Sequence, residues 1–461
     1  MKILMTGGTG LIGQELGLEL VRRGHQILLV SRSREKAILQ APFPCEVIEG
    51  DLTQGPLDAT KTRGLDAVIH LLGEGVAEKR WTPEHKQKIL DSRVSSTQNL
   101  LQSFEKAPPT LVSASAIGFY GDRADETLNE EAKPGEGFLP DVCVQWEREV
   151  DRASQKGFSR VVKARIGIVL STQGGALAEM LTPFQAGVGG ALGNGQQWMS
   201  WIHIRDIVGL FVKVVEDTSI HGAVNFVAPK PVRNIEFSTI LARTLKRMRA
   251  PNVPKLALKT LFGELAVVLL ASQKVSSKRA QDLGYKFQFN GLEEALQDLL
   301  APHSQGEEIL VSKQFIPKKK EEIFPFFADA KNLESITPEL LNFIVLDIST
   351  PEMQEGTLIN YKLKIRGVPV RWRTRIEEWR PPLKFVDTAL KGPYKLWHHT
   401  HSFEDLGLGT LMTDRVRYRL PVGYLGWLSA HWLVRKDVRN IFDFRRHRIA
   451  EIFGIKSSKN R

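Results

Sequence analysis

The chain has 461 residues, two cysteines, 42% apolar and 25% charged content and a formal net charge of +11, an ordinary globular composition at a length that asks for two or three domains. Cys45 and Cys143 lack CxxC spacing, which argues against a disulfide framework and a cysteine zinc site. The most apolar stretch, 261–271, is too short for a bilayer span and contains Glu264, and the immediate entry into a strand leaves no room for a cleavable signal, so a cytoplasmic protein is expected.

In chain order, Ile3–Met5 reads as a strand, glycines follow at 7, 10 and 13, and helix formers run from Gln14 to Arg23. Strand, tight turn and helix bring backbone N–H groups against a pyrophosphate. Gly7 permits the turn and Gly10 the approach of phosphate. Gly13 lets the helix pack on the strand, with Leu11 and Ile12 in its first turn. The spacing is GxxGxxG rather than the usual GxGxxG, and an ordinary strand–turn–helix is the bland alternative.

The second strand, Ile27–Val30, runs into Ser31-Arg32-Ser33-Arg34. An acidic residue here would hold a ribose 2′-hydroxyl; Arg32 instead suits a 2′-phosphate and favours NADP(H) over NAD(H), unless it is a solvated loop cation. Asp51 closes the third strand, Cys45–Ile48, where it reaches an adenine amino group or caps a turn. Further strands are read at Ala67–Leu72, Thr110–Ala114 and Val161–Val169, with helices at 14–23, 84–106 and 143–156. The alternation predicts an α/β doubly wound parallel sheet with ligand at the carboxyl ends of its strands. Leu52, Leu72, Gly73, Arg93 and Arg165 complete the expected cofactor contacts.

The pieces TGGTGLIG at 6–13, GDL at 50–52, HLLG at 70–73, SASAIGFYGD at 113–122 and SWIHIRDIV at 200–208 resemble the extended short-chain dehydrogenase/reductases. That superfamily includes sugar-nucleotide epimerases and dehydratases. KRWTPEHKQKILDSRV at 79–94, RIGIVLSTQGGAL at 165–177 and LLASQKVSSKRAQDLGYKF at 269–287 are similar to an atypical, epimerase-like branch, some members of which carry a cell-division-inhibitor label. The resemblance implies a Rossmann-type fold, dinucleotide binding, and a catalytic Ser or Thr followed by Tyr-x-x-x-Lys. Ser115 fits the serine position, with Ser113 second and a strand-end cap as the alternative. If Glu147 is the acidic residue four after the Lys, Leu139 and Cys143 replace Tyr and Lys, and neither can relay a proton that way. Tyr120 belongs to the Tyr-Gly pair at the pocket wall and remains a catalytic candidate. Asp141 and Glu147 read as helix-surface carboxylates, and Cys143 as a small buried residue.

On the substrate side Arg80, Trp81 and Arg93 are expected near the cofactor edge if the helix from 84 follows the fourth strand's approach. The glycine-rich run 187–195 is expected to fold over a ligand before Trp198, Trp201 and His203. Trp201, His203, Arg165 and Arg205 are candidates for a phosphate or carboxylate; packing aromatics and an Arg205–Asp206 ion pair are the alternative. Residues 256–286 form a helical cap in this branch. The expected domains are 1–301, with the cap region within about 175–300, a linker at 302–308, and 309–461.

The last third carries 27 Lys and Arg against 19 Asp and Glu. Glu308–Ile316 reads as a strand and Lys318–Ala330 as a helix. Lys362, Lys364 and Arg366, then Arg371, Arg373 and Arg375, then Arg415, Arg417 and Arg419 alternate with mostly apolar residues. Period two predicts an antiparallel sheet with one basic face. A helix from about His431 to Phe453 places Val434, Val438, Ile441, Phe442, Ile449 and Ile452 on one stripe. The segment DRVRYRLP at 414–421, running into that helix, resembles the START-like (SRPBCC) superfamily. This implies an α+β helix-grip domain around a cavity for an apolar or lipid-like ligand. Of His398, His399 and His401 only the last two share a strand face, and the sequence fixes no acidic or cysteine partner nearby, so no metal is expected. The basic face suits weak binding to an anionic surface or plain solvation; no Lys/Arg block points to nucleic acid. The leading expectation is an NADP(H)-binding epimerase-like oxidoreductase for a small molecule, with a tethered apolar-ligand domain. A non-catalytic NADP-responsive binding protein and a sugar-nucleotide epimerase with another acid–base pair are the alternatives.

Overall fold

A computed structural model describes residues 1–77, 79–421 and 423–455. The chain divides into two compact units, Met1–Arg34 with Cys45–Ala301, and Glu35–Pro44 with Pro302–Arg461.

Unit 1 is built on β1 (Lys2–Thr6), α1 (Leu11–Arg22), β2 (Gln26–Ser31), β3 (Glu46–Glu49), β4 (Ala67–His70), β5 (Thr110–Ala116), α2 (Phe138–Asp151), β6 (Arg160–Ile166), α3 (Ile204–Glu216) and β7 (Gly222–Phe226). The seven strands are parallel in the order β7-β6-β5-β4-β1-β2-β3. This is a Rossmann-like, doubly wound sheet. Strands covered on both faces need continuous apolar runs, and Ile3, Leu4 and Met5, Val68 and Ile69, and Leu111 and Val112 are all fully buried. On α3 the buried Ile207, Leu210, Phe211 and Val214 recur at helical spacing and face the core. β1 lies between β2 and β4, where the winding reverses and a crevice opens at the carboxyl edge.

Three expected elements come out differently. The helix over 84–106 is two helices, Pro83–Asp91 and Val94–Gln102. They part where Arg93 turns its guanidinium back to the Ile89 carbonyl at 3.0 Å and across to the Glu74 carbonyl at 3.1 Å. The strand over 161–169 divides at Gly167, where a Cβ would stand 2.6 Å from the Ser200 carbonyl oxygen. Beyond it Ile168–Leu170 pairs with Trp201–His203. The glycine-rich run is no free flap: Gly190–Leu192 is a strand held against Ala250–Val253. The cap contains helices Lys255–Phe262, Ala266–Leu270 and Lys278–Asp282 with a two-residue strand, Lys274–Val275.

Unit 2 has β8 (Glu308–Ile316), β9 (Ile344–Ile348), β10 (Leu358–Ile365), β11 (Val368–Arg380), β12 (Lys384–Lys391), β13 (Leu396–Asp405), β14 (Thr410–Arg419) and the helix α4 (Gly423–Ile452). The sheet is antiparallel throughout, in the order β8-β14-β13-β12-β11-β10-β9. Its faces divide as period two demands. Trp372, Thr374, Ile376, Val416 and Tyr418 are buried, while Lys362, Lys364, Arg371, Arg373, Arg375 and Arg415 are exposed. Arg366 leaves the basic face: it sits in a turn at φ +51 and its guanidinium grips Asp437 of α4 at 2.8 and 3.0 Å. α4 begins earlier than expected and buries Val438 and Phe442 with Val416 and Tyr418, and Ile449 with Phe403 and Met412. Ile452, placed on that stripe by periodicity, is exposed instead. Among the described residues no helix is long and apolar enough to cross a membrane.

Candidate functional site

Five loops leave the carboxyl edge of the unit 1 sheet around β1. The Thr6 hydroxyl at the end of β1 accepts the N–H groups of Leu71 and Leu72 at 3.2 and 3.3 Å and meets His70 Nδ1 at 2.8 Å. The ends of β1 and β4 are thereby pinned together. Gly7 follows at φ +67, where a Cβ would stand 2.7 Å from the Leu71 carbonyl oxygen. The Gly10 N–H closes back on the Gly7 carbonyl at 3.0 Å, and Gly10 starts α1 with no side-chain cap. A Cβ on Gly13 would stand 2.4 Å from that same Gly7 oxygen. Only hydrogen fits at Gly7 and Gly13, and the uncapped N–H groups of Leu11, Ile12 and Gly13 line a bare backbone cradle, a fit for phosphate.

The loop after β2 carries the charge. Arg34 is occupied by β3, its N–H donating to Glu49 at 3.1 Å and its Nη1 to the Val47 carbonyl at 3.1 Å. Arg32 is exposed, and among the described residues it makes no hydrogen bond or ion pair. Asp51 takes the turn role: its Oδ1 accepts from the Thr53 N–H at 2.9 Å and hydroxyl at 2.7 Å. Leu52 is buried, Leu72 half-buried and Gly73 exposed. Arg93 lies over the Trp146 ring at 5.3 Å and within 3.2 Å of where a Gly73 Cβ would stand. It braces the loop after β4.

Beside β5 the structure assembles a buried polar chain. Ser115 Oγ donates to Glu147 at 2.7 Å. Arg165, opposite Ser115 in register, holds both Glu147 oxygens at 2.8 Å. Arg165 also donates to the Tyr120 hydroxyl and to the Glu130 carbonyl, each at 3.0 Å, and Tyr120 donates to Asn225 at 2.7 Å. Burial raises the Glu147 pKa, but the Arg165 hydrogen bonds and charge outweigh it and hold the carboxyl below its ordinary range. Glu147 is therefore no helix-surface carboxylate. The Arg165 guanidinium is taken up by its own chain, and the Tyr120 side chain is fully buried. Leu139 and Cys143 face Gly118, both within 3.8 Å of its Cβ position. Burial pushes the Cys143 thiol up to about 12, so it is neutral at physiological pH.

The residues expected on the substrate side are scattered. Arg80 donates to the Thr260 and Leu261 carbonyls and ties its loop to the helix 255–262. Trp81 donates to the Val76 carbonyl at 2.9 Å and meets Phe138 edge-on at 5.0 Å. Trp201 is wholly buried in a core with Leu177, Phe184 and Phe237, its indole N–H on the Lys230 carbonyl. His203 caps α3, accepting the Arg205 N–H at 3.1 Å, and stacks on Phe289. Burial lowers its pKa despite Asp298 at 3.3 Å. Arg205 pairs with Asp298 rather than Asp206, which instead accepts the Gln288 and Phe289 N–H groups. The placement of Trp201 and His203 is that of core residues.

Residues 3–226 match the family model described as NAD dependent epimerase/dehydratase family, and 253–299 match a domain of unknown function, DUF1731. The epimerase family protein SAR0825 of Staphylococcus aureus (strain MRSA252) is 38% identical over 307 residues, 65% of this chain and 98% of that protein. The chloroplastic epimerase family protein SDR39U1 homolog of Arabidopsis thaliana is 37% identical over 306 residues, 65% of this chain and 87% of its own. Among solved structures, human epimerase family protein SDR39U1 (isoform 2) with NADPH matches at TM-score 0.58 and 31% identity, over 65% of this chain and 99% of that one. The UDP-glucuronic acid 4-epimerase of Bacillus cereus with UDP-glucuronic acid and NAD, at 17% identity and TM-score 0.55 over 66% of this chain and 99% of that one, shares the fold.

Proposed function

Because this chain belongs to the NAD-dependent epimerase/dehydratase family, we propose that unit 1 is an NADP(H)-binding oxidoreductase acting on a small molecule without the usual Tyr-x-x-x-Lys. The observation that carries the cofactor choice is Arg32, an exposed cation at the end of β2 that no other described group engages. The glycine cradle of Gly7, Gly10 and Gly13 takes the pyrophosphate on α1, and Arg32 grips the 2′-phosphate. The NADPH in the human relative supports that choice. When bound, the nicotinamide supplies or accepts the hydride. Ser115, at the carboxyl end of β5, donates its hydrogen bond to Glu147 and meets the reacting group as an acceptor, taking the O–H of its alcohol form. Tyr120, fully buried and bonded to Arg165 and Asn225, serves the scaffold rather than the substrate.

Fluorescence titration with NADPH and NADH tests this. Arg32→Ala is expected to weaken NADPH by about tenfold or more, the worth of a charge-assisted contact, and to leave NADH unchanged. Equal affinities in the wild-type protein would remove the 2′-phosphate assignment. A non-catalytic NADP-responsive protein is the second reading, favoured by Leu139 and Cys143 packed on Gly118. Turnover of NADPH with carbonyl compounds, lost in Ser115→Ala, would eliminate it.

For unit 2 the proposal is a START-like helix-grip domain holding an apolar ligand. Its support is a cavity of about 560 Å³ lined by α4 and the inner sheet face, a size typical of small-molecule sites. Native mass spectrometry of the full chain would reveal a co-purifying apolar molecule.

A further inference from the structure

The cavity of unit 2 is not apolar all round. His399 and His401 share the inner face of β13, and strand register brings a carboxylate from each side. Asp387 of β12 lies opposite His399, and Asp414 of β14 lies opposite His401. His401 Nε2 is 3.1 Å from Asp387 and its Nδ1 2.7 Å from Asp414, while His399 Nε2 is 3.1 Å from Asp414. The sequence showed no acidic partner for these histidines because both partners are distant along the chain and adjacent only across the sheet. Arg445, from α4, completes the set. It is 8% exposed, lines the cavity, and its Nε finds no hydrogen-bond partner among the described residues.

Burying five ionisable groups together rarely adds stability over apolar packing. What they add is a polar side to the cavity. Asp387 and Asp414 face Arg445, and although burial opposes it, Asp414 and Asp387 raise the His401 pKa above its ordinary value. Burial and the neighbouring His401 lower His399 to about 4 and keep it neutral. Arg445 is the member of the set left with an unmet donor, so a ligand that brings a hydrogen-bond acceptor satisfies its buried N–H.

Aromatic rings in the same lining define the ligand's body. Tyr361, Trp372, Tyr394 and Trp397 line the cavity with neighbouring ring centroids 4.9–5.8 Å apart, surfaces suited to stacking on a flat ring system. We propose that Arg445, set beside His399, His401 and Asp387 in the cavity lining, anchors the carbonyl oxygen of a flat, apolar ligand in this cavity. The proposal rests on the reading of unit 2 as an apolar-ligand domain.

The test uses the full-length protein and two probes with one tricyclic frame, fluorene and 9-fluorenone, which differ by a carbonyl. Quenching of tryptophan fluorescence reports binding, since Trp372, Trp379 and Trp397 line the cavity. Fluorenone is expected to bind the wild-type protein at least tenfold more tightly. Arg445→Met is expected to bring fluorenone down to the affinity of fluorene without changing fluorene itself. Equal affinities in the wild type, or equal weakening of both probes in the variant, would overturn the anchor while leaving the apolar cavity standing. Failure of both probes to bind would overturn both. The wild-type ratio decides even if Arg445→Met does not fold. Stoichiometric Zn²⁺ binding that disappears in His399→Gln would reassign the set as a metal site and overturn the proposal.

Discussion

Glu147 shows how much one side chain decides. It takes the Ser115 proton donor and both arms of Arg165, while Arg165 in turn holds Tyr120. Replacing Glu147 by Leu leaves the Arg165 charge buried and uncompensated, a loss expected to cost roughly 3–5 kcal/mol. Urea unfolding would read it directly; a loss under 1 kcal/mol would mean that solvent or Glu130 compensates Arg165. The signal for this burial was present in the sequence. Cys143, Trp146, Glu147 and Val150 stand at i, i+3, i+4 and i+7, the apolar stripe of an amphipathic helix. A carboxylate on that stripe needs a buried cation, and Arg165 stands beside Ser115 only because β5 and β6 are neighbours.

At the scale of elements, the turn between β1 and α1 works because it has no side chains. Gly13→Ala drives a Cβ into the Gly7 carbonyl and the Gly8 backbone, at 2.4 and 2.5 Å, neither of which can rotate away. The expected result is a loss of about 1–3 kcal/mol and at least tenfold weaker NADPH binding. Gly55→Ala, which meets nothing within 4 Å, should stay within about 0.5 kcal/mol and bind normally. Thermal melts and NADPH titration of the two variants check this, and equal behaviour would contradict the close-packing account. The strand–turn–helix was legible because it is local. The kink at Arg93 and the pairing of Gly190–Leu192 were not, because both are fixed by partners far along the chain, the Glu74 carbonyl and the strand Ala250–Val253.

Across the whole molecule the two units carry separate buried titratable sets. In unit 1 burial lowers the His70 pKa from 6.5 to about 4, so the folded chain refuses a proton that the unfolded chain accepts below pH 6.5. Stability must therefore fall as pH drops through that window, by roughly 2 kcal/mol between pH 7 and pH 5 from His70 alone. Comparing urea unfolding of wild type and His70→Gln at both pH values checks this. An identical pH slope in the variant would show that His70 takes up its proton equally in the folded and unfolded chain, and would overturn the depressed pKa.

The sequence by itself determined the parallel and antiparallel sheets and the glycine turn, and it set a cation, Arg32, at the end of β2. These are matters of period, composition and adjacent residues, which short-range sterics and hydrophobic patterning suffice to specify. The tertiary structure alone decided which polar groups meet. Strand order joined Ser115, Glu147, Arg165 and Tyr120 in unit 1, and strand register set Asp387 and Asp414 against His399 and His401 in unit 2. Such contacts depend on which strands become neighbours, and no local pattern encodes that.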